Sequence, residues 1–441
     1  MQIPIVRPEL GEAEVEAVAG VIRSGWVAQG PEVAAFESEL ASAVGASHAV
    51  AVSSCTAALE LCLRALGVGL DDDVVTVSHS FIATANAVVA VGARPIFVDI
   101  DPTTYGMDVG LLEAALTPKT RAILCVHQLG FPCALPAILD IASRREIPVI
   151  EDAACAIGSE IQIANMETLG GFPNLPAMVR ADEGEGRRPE GCAGWEAGPE
   201  SSAAPHATGA WQAIGRPHGL AACFSFHPRK VITTGDGGMI TTADEALAAR
   251  LRQLRQHAMS VTSTIRHDSQ RVVFESFQEP AYNFRMTDMQ AAMGRTQLAR
   301  LHATIATRRA LAERYRMALD DHPVLAPPRE LPWMRANFQS YPLRIRPSAR
   351  MSQVEIMQHL LDRDVASRRG VGNAHAEPAY ANTPWSCGPE PCDAHLHRQG
   401  RCLRLRQSEE ARDQTIMIPL FHGMTEEEQD HVIAALRALP A

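Results

Sequence analysis

Short unbroken apolar runs recur through the first half of this chain, each of strand length and each separated from the next by a segment with helical spacing. Val74–Val77, Ala122–Val126 and Pro148–Ile150 are the clearest, with Arg94–Val98 between the first two. A strand with one wet face alternates apolar and polar residues, whereas a strand buried on both faces reads as a continuous apolar run. The runs therefore predict a mostly parallel sheet covered by helices on both sides, since parallel neighbours need a long crossover between them. Helical patterns fill the intervals at Glu12–Ile22, Glu32–Val44, Ala57–Leu66, Phe81–Val91 and Pro136–Arg145, and His48–Val52 adds a short strand. Ala221–Phe226 and Gly238–Thr241 continue the strand series. Asp244–His257 follows as a helix with Leu247, Leu251 and Leu254 on one face. Thr287–Asp288 suits the start of a long helix bridging to a C-terminal part. There Ser340–Ile345 reads as a strand, and Val354–Leu361 and Glu426–Leu439 as helices. The predicted fold is α/β, with a large domain over residues 1–257 and a smaller α+β domain over residues 258–441.

Two segments break the pattern. Ile161–Ala210 is rich in Gly, Pro, Ala and Glu, and Ala381–Gln414 in Pro, Cys, His and Arg. Both read as insertions without regular structure. The first is open to two readings, a surface excursion or a flap over a substrate. In the second, Cys387, Cys392, His395, His397 and Cys402 cluster, but their spacing departs from the usual zinc patterns, so no metal is expected.

Bulk properties narrow the function. A net charge of -11 over 441 residues excludes a nucleic-acid surface built on global positive charge. No apolar run is long enough to span a bilayer. Met1–Leu10 lacks a basic start followed by an apolar core, so a cytoplasmic protein is expected. Cys62, Cys125 and Cys223, three of ten cysteines, sit inside predicted elements and read as buried thiols rather than disulfides.

The chemistry concentrates at strand ends. Ser225-Phe-His-Pro-Arg-Lys230 is followed by Thr233-Thr-Gly-Asp-Gly-Gly238. It places a lysine after a strand and before a glycine-rich turn. A lysine amine can form a Schiff base with an aldehyde cofactor, and glycines let the backbone approach a bulky ligand. Val149-Ile-Glu-Asp-Ala-Ala154 ends a buried strand in two carboxylates. A buried acid needs a partner. The ring nitrogen of pyridoxal phosphate (PLP) is such a partner for Asp152, because a protonated ring is the better electron sink. A helix N-cap is the other reading of Asp152. Glu151 points to the opposite face, since strand side chains alternate. Ser53-Ser-Cys-Thr-Ala-Ala58 joins a strand to a helix, and backbone amides at a helix start bind phosphate, with Ser54 and Thr56 adding hydroxyls. An unliganded N-cap would look the same. Phe81 in His79-Ser-Phe-Ile-Ala-Thr-Ala-Asn86 could stack on a flat ring or fill a core.

Taken in order, these motifs resemble those of the DegT–DnrJ–StrS family of PLP-dependent sugar aminotransferases. The match also includes Ser24-Gly-Trp-Val-Ala-Gln-Gly-Pro31, Phe97-Val-Asp99, Cys223-Phe-Ser-Phe-His-Pro-Arg-Lys230 and Tyr282-Asn-Phe-Arg-Met-Thr-Asp288. The resemblance implies a fold-type-I aminotransferase that works as a homodimer with shared sites. By it, Lys230 carries the cofactor, Asp152 holds the ring nitrogen and Phe81 stacks on the ring. Ser54, Cys55, Thr56 and Ser225 cradle the phosphate, Asn283 reaches it from the other subunit, and His227 faces the site. Where the family often has Gln or His near the ring hydroxyl, this chain has Cys155, a weak donor. The insertion before Trp211 is a second departure.

The implied reaction moves an amino group from L-glutamate to a nucleotide-linked keto sugar in ping-pong order, with Lys230 shuttling the proton and holding a lowered pKa beside the cofactor. Arg229, Arg285 and Arg368-Arg369 are candidates for an anionic substrate, and His375 for the sugar. A sugar dehydratase of the same family would replace the lysine with histidine, so Lys230 favours transamination. A cyclitol aminotransferase and a PLP-binding regulator without turnover are further alternatives.

Overall fold

The computed structural model describes residues 2–163, 209–261, 272, 274–388, 396 and 399–440. Its centre is a seven-stranded sheet in the order β1-β9-β8-β5-β4-β2-β3. These are β1 (His48–Val52), β2 (Asp73–Val77), β3 (Arg94–Val98), β4 (Thr120–Val126), β5 (Val149–Asp152), β8 (Ala221–Ser225) and β9 (Gly238–Thr242). From β3 to β8 every pairing is parallel, and β9 alone runs backwards between β8 and β1. The continuous pattern shows as burial on both faces: β2 is buried at all five positions and β5 at all four.

Helices α1 (Glu12–Ser24), α2 (Pro31–Val44), α3 (Cys55–Ala65), α4 (Ala83–Ala90), α5 (Val109–Ala115), α6 (Leu135–Arg144) and α7 (Glu245–Leu254) belong to this half. Next come α8 (Asp288–Ala299) and α9 (Leu301–Leu319). Thr287 opens α8 with a capping box to Gln290. Asp288 turns the other way, accepting the backbone amides of Gly30, Glu32 and Val33 and so capping α2 across the molecule. Gly30 touches Trp26 so closely that a Cβ there would lie 1.9 Å from its indole nitrogen, and no other residue fits.

The C-terminal half holds an antiparallel sheet, β10-β12-β14-β13, from β10 (Leu325–Ala326), β12 (Tyr341–Ile345), β13 (Arg368–Arg369) and β14 (Thr415–Ile418). Helices α10 (Gln353–Leu361), α11 (Arg406–Asp413) and α12 (Glu426–Arg437) complete it.

Both predicted insertions need correction at their ends. Ile161–Ile163 and Ala210 are not loop. β6 (Glu160–Ile163) pairs with β7 (Ala210–Ala213), and β11 (Met334–Arg335) adds a third strand. Residues 164–208 lie outside the described residues. The second segment contains α11, whose start is capped by Asp99 through the amides of Gln407 and Ser408 at 2.8 Å each. Cys387, Cys402 and Leu405 pack with Phe97, Tyr380 and Ala85 in a small core of their own. Cys392, His395 and His397 lie outside the described residues.

Candidate active site

Parallel strands present their C-terminal ends on one edge, and ligands bind outside that edge. Here it collects the ends of β5 and β8, the start of α4 after β2, and the start of α3 after β1. Because β9 runs backwards, its first residue meets the same edge, pairing Gly238 with Val52. A Cβ on Gly238 would lie 2.5 Å from the Ser54 carbonyl carbon, so glycine is what lets β9 begin against the start of α3.

Asp152 is buried at the end of β5. Its Oδ2 accepts from the Thr84 hydroxyl at 2.7 Å and its Oδ1 from the Ala154 amide at 3.1 Å. Glu151 takes the opposite face, as alternation predicts. Its Oε2 lies 3.0 Å from His127 Nε2, and its Oε1 accepts from the Gly219 amide at 3.0 Å.

Lys230 follows β8 on a turn that its amide closes onto the His227 carbonyl. Its Nζ reaches Cys155 Sγ at 3.0 Å. Burial works against the ammonium, but Cys155, Asp152 and Cys55 beside it outweigh burial and raise its pKa. The lowered value expected from sequence belongs to a lysine beside a bound cationic ring. In the chain by itself the acidic neighbours decide. Cys55 reports the same crowd. Burial first, then Asp152, push its thiol well up, with Lys230 opposing.

The start of α3 is capped by Ser54, whose hydroxyl accepts from the Ala57 amide at 3.1 Å. Thr56 is exposed on the first turn and Cys55 is buried behind it. Ser225 accepts from the His227 amide at 3.4 Å. His227 Nδ1 accepts from the Arg229 amide, and burial followed by the Arg229 charge lowers its pKa. Phe81 is 66% exposed just before α4. Asn283 is exposed too, with Oδ1 accepting from Arg285 Nε at 3.0 Å.

Arg229 and Arg368 line one small cleft of about 50 Å³ with Ile5, Val6 and Gln339. Burial, then the facing Arg368, lowers the Arg229 pKa. His375 is 1% exposed, with Nδ1 2.6 Å from Ser78 Oγ and Nε2 3.4 Å from Glu409, so its two nitrogens tie distant segments together. A larger cavity, about 320 Å³, lies against α9 and is lined by Arg309, Glu330, Phe338 and Tyr341, by none of the residues above.

Sequence reasoning missed three supports. Thr84 lies inside a quoted motif, one turn after Phe81, yet its bond to Asp152 has no spacing signature. Asn337 Nδ2 donates to the carbonyls of Cys155 and Ile157 at 2.8 Å each, and Gln339 Nε2 donates to the Arg229 carbonyl at 2.8 Å. One short strap thus holds both the Cys155 and the Lys230 loops.

Comparison with known proteins gives the family of the chain. The chain is 31% identical over 438 residues to the spore coat polysaccharide biosynthesis protein SpsC of Bacillus subtilis, covering 99% of this chain and 96% of that one. Among solved structures it is similar to S. venezuelae DesV, captured with a ketimine intermediate, at 28% identity and TM-score 0.77, over 99% and 98% of the two chains. It shares its fold with Streptococcus pneumoniae Spr1654 in its PLP form, at 23% identity and TM-score 0.79, over 99% and 98% of the two chains. The model of the DegT/DnrJ/EryC1/StrS aminotransferase family matches residues 8–174 and 201–437, nearly everything outside the span that interrupts the sheet, and the chain belongs to that family.

Proposed function

We propose that this enzyme is a PLP-dependent aminotransferase that moves an amino group from L-glutamate to a keto sugar carried on a nucleoside diphosphate, in ping-pong order, as a homodimer. The observation that carries the reading is the meeting of a lysine amine, a buried carboxylate and a helix start at one edge of the sheet. That donor set fits PLP: a nucleophile for its aldehyde, an anion for its ring nitrogen, and free amides for its phosphate. When bound, PLP supplies an electron sink for the donor's α-carbon.

The chain's own residues do the rest. Lys230 would act as the base that takes the proton from the donor's α-carbon. Asp152, fixed by Thr84 and Ala154, would hold the protonated ring nitrogen. The start of α3, with Ser54, Thr56 and Ser225, would hold the phosphate. Arg229 and Arg368 face each other, the arrangement an anionic substrate bridges. Phe81, Asn283 and Arg285 stand toward solvent in the single chain, where a second copy and a bound ring would cover them. A dehydratase of this family carries histidine in place of Lys230, so transamination is the better reading.

The absorption spectrum of purified protein with PLP tests it. A band present in wild type, absent in Lys230→Ala and converted by L-glutamate to the pyridoxamine spectrum is expected. A band indifferent to glutamate overturns the donor, and no lysine-dependent band overturns the cofactor.

A further inference from the structure

The contact between Cys155 and Lys230 has a chemistry that transamination does not use. Nζ and Sγ are 3.0 Å apart. Among the described cysteines Cys155 alone is partly open to solvent, the others being buried. The backbone on both sides is fixed, by the Ala154 amide on Asp152 and by Asn337 on the Cys155 carbonyl. The thiol is therefore held against the amine. A thiol acts on peroxides as its thiolate, and the sulfenic acid so formed condenses with a nitrogen within reach.

We propose that Cys155 is an oxidative modification site that closes on Lys230, a peroxide linking Sγ to Nζ through a sulfur–nitrogen bond. The thiolate attacks hydrogen peroxide. The O–O bond breaks, one oxygen stays on sulfur as the sulfenic acid, and the other leaves as hydroxide. That hydroxide takes a proton from the Lys230 ammonium and leaves as water, and the freed lone pair attacks Sγ. The S–O bond breaks, and its hydroxyl leaves with one amine proton as water. One thiol, one amine and one peroxide give one sulfenamide and two waters, the sulfur losing two electrons to the peroxide. A dithiol reverses the bond, becoming a disulfide while the thiol and amine are restored.

While the bond stands, Lys230 has no amine to offer an aldehyde. That consequence rests on Lys230 being the cofactor lysine; the bond itself does not.

The test is peptide mass analysis of the cofactor-free full-length chain after hydrogen peroxide. Expected is a species joining the Cys155 and Lys230 peptides, lighter than their sum by two hydrogens. It should vanish with dithiothreitol, fail to form in Cys155→Ser and in Lys230→Ala, and fail to form in chain loaded beforehand with PLP. When PLP is then added to the same samples, the peroxide-treated chain should form little of the lysine-dependent band that untreated chain forms, and dithiothreitol should return it. A Cys155 oxidised to sulfenic or sulfinic acid with Lys230 unlinked overturns the proposal, as does equal cross-linking in Cys155→Ser. An untreated protein without the band fails the cofactor reading instead, and the mass result still judges the bond.

Discussion

Glu151 and Asp152 are neighbours on one short strand, both buried, and they face opposite worlds. Behind the sheet, Glu151 is fully satisfied by His127 and the Gly219 amide, and neither acid nor imidazole has any exposure. In front, Asp152 is steadied by one hydroxyl and one amide and lies close to an amine and two thiols. A closed pair holds a fold together; a carboxylate with a lysine and two thiols around it is equipped to hold something else. The comparison separates stability from chemistry within two residues.

The sharpest way to break it is Lys230→Ala, which should abolish the cofactor band and turnover while leaving the thermal midpoint nearly unchanged. Activity that survived the substitution would mean that the front face is not the site. Asp152→Asn should cost about 10²–10³ in kcat, the range for losing one preorganised electrostatic partner, with unfolding unaffected. Glu151→Ala should do the reverse. Removing one member of a buried pair costs about 3–5 kcal/mol, read by urea unfolding, while turnover per folded molecule stays close to wild type. If both variants lost activity equally at equal stability, the two faces would not be distinct.

The pH dependence sharpens the same contrast. Burial opposes the charge on His127, but Cys133 and Glu151 beside it raise its pKa from 6.5 to about 10. Burial likewise opposes ionised Glu151, and His127 pulls its pKa below 4.5. The histidine's contribution is complete below pH 6.5 and lost as pH rises through about 10. The glutamate's is present above 4.5 and lost as pH falls through its lowered value. The advantage of wild type over His127→Gln in thermal midpoint should therefore shrink between pH 6.5 and 10, and a constant gap would refute the charged pair. Smallest of all, Thr84→Val should weaken PLP binding about tenfold, one hydrogen bond to a charged group, measured by titration of the cofactor band.

Much of this was legible because burial on both faces writes itself into unbroken apolar runs. The strands β2, β4, β5 and β8 were found within a residue or two of their ends. The alternation that separates Glu151 from Asp152 is a backbone property and needed no tertiary knowledge. The losses have a common cause. Helix α11, Arg406–Asp413, has Ala411 as its one apolar residue, and its start depends on Asp99, some three hundred residues earlier. Strands β6 and β7 are four residues each and exist by pairing with one another. Thr84, Asn337 and Gln339 support the site through single contacts between distant segments, which no periodicity records.

The pairing of β6 with β7 has an effect on what this chain can become. Ile163 and Ala210 are register partners, so the two ends of everything between them are held side by side. Lengthening a closed loop adds only about 0.6 kcal/mol per doubling. Segments of very different size can thus be exchanged on this stem without disturbing the spacing from Asp152 to Lys230. It is a socket at which lineage or engineer can swap an appendage while the catalytic edge keeps its geometry.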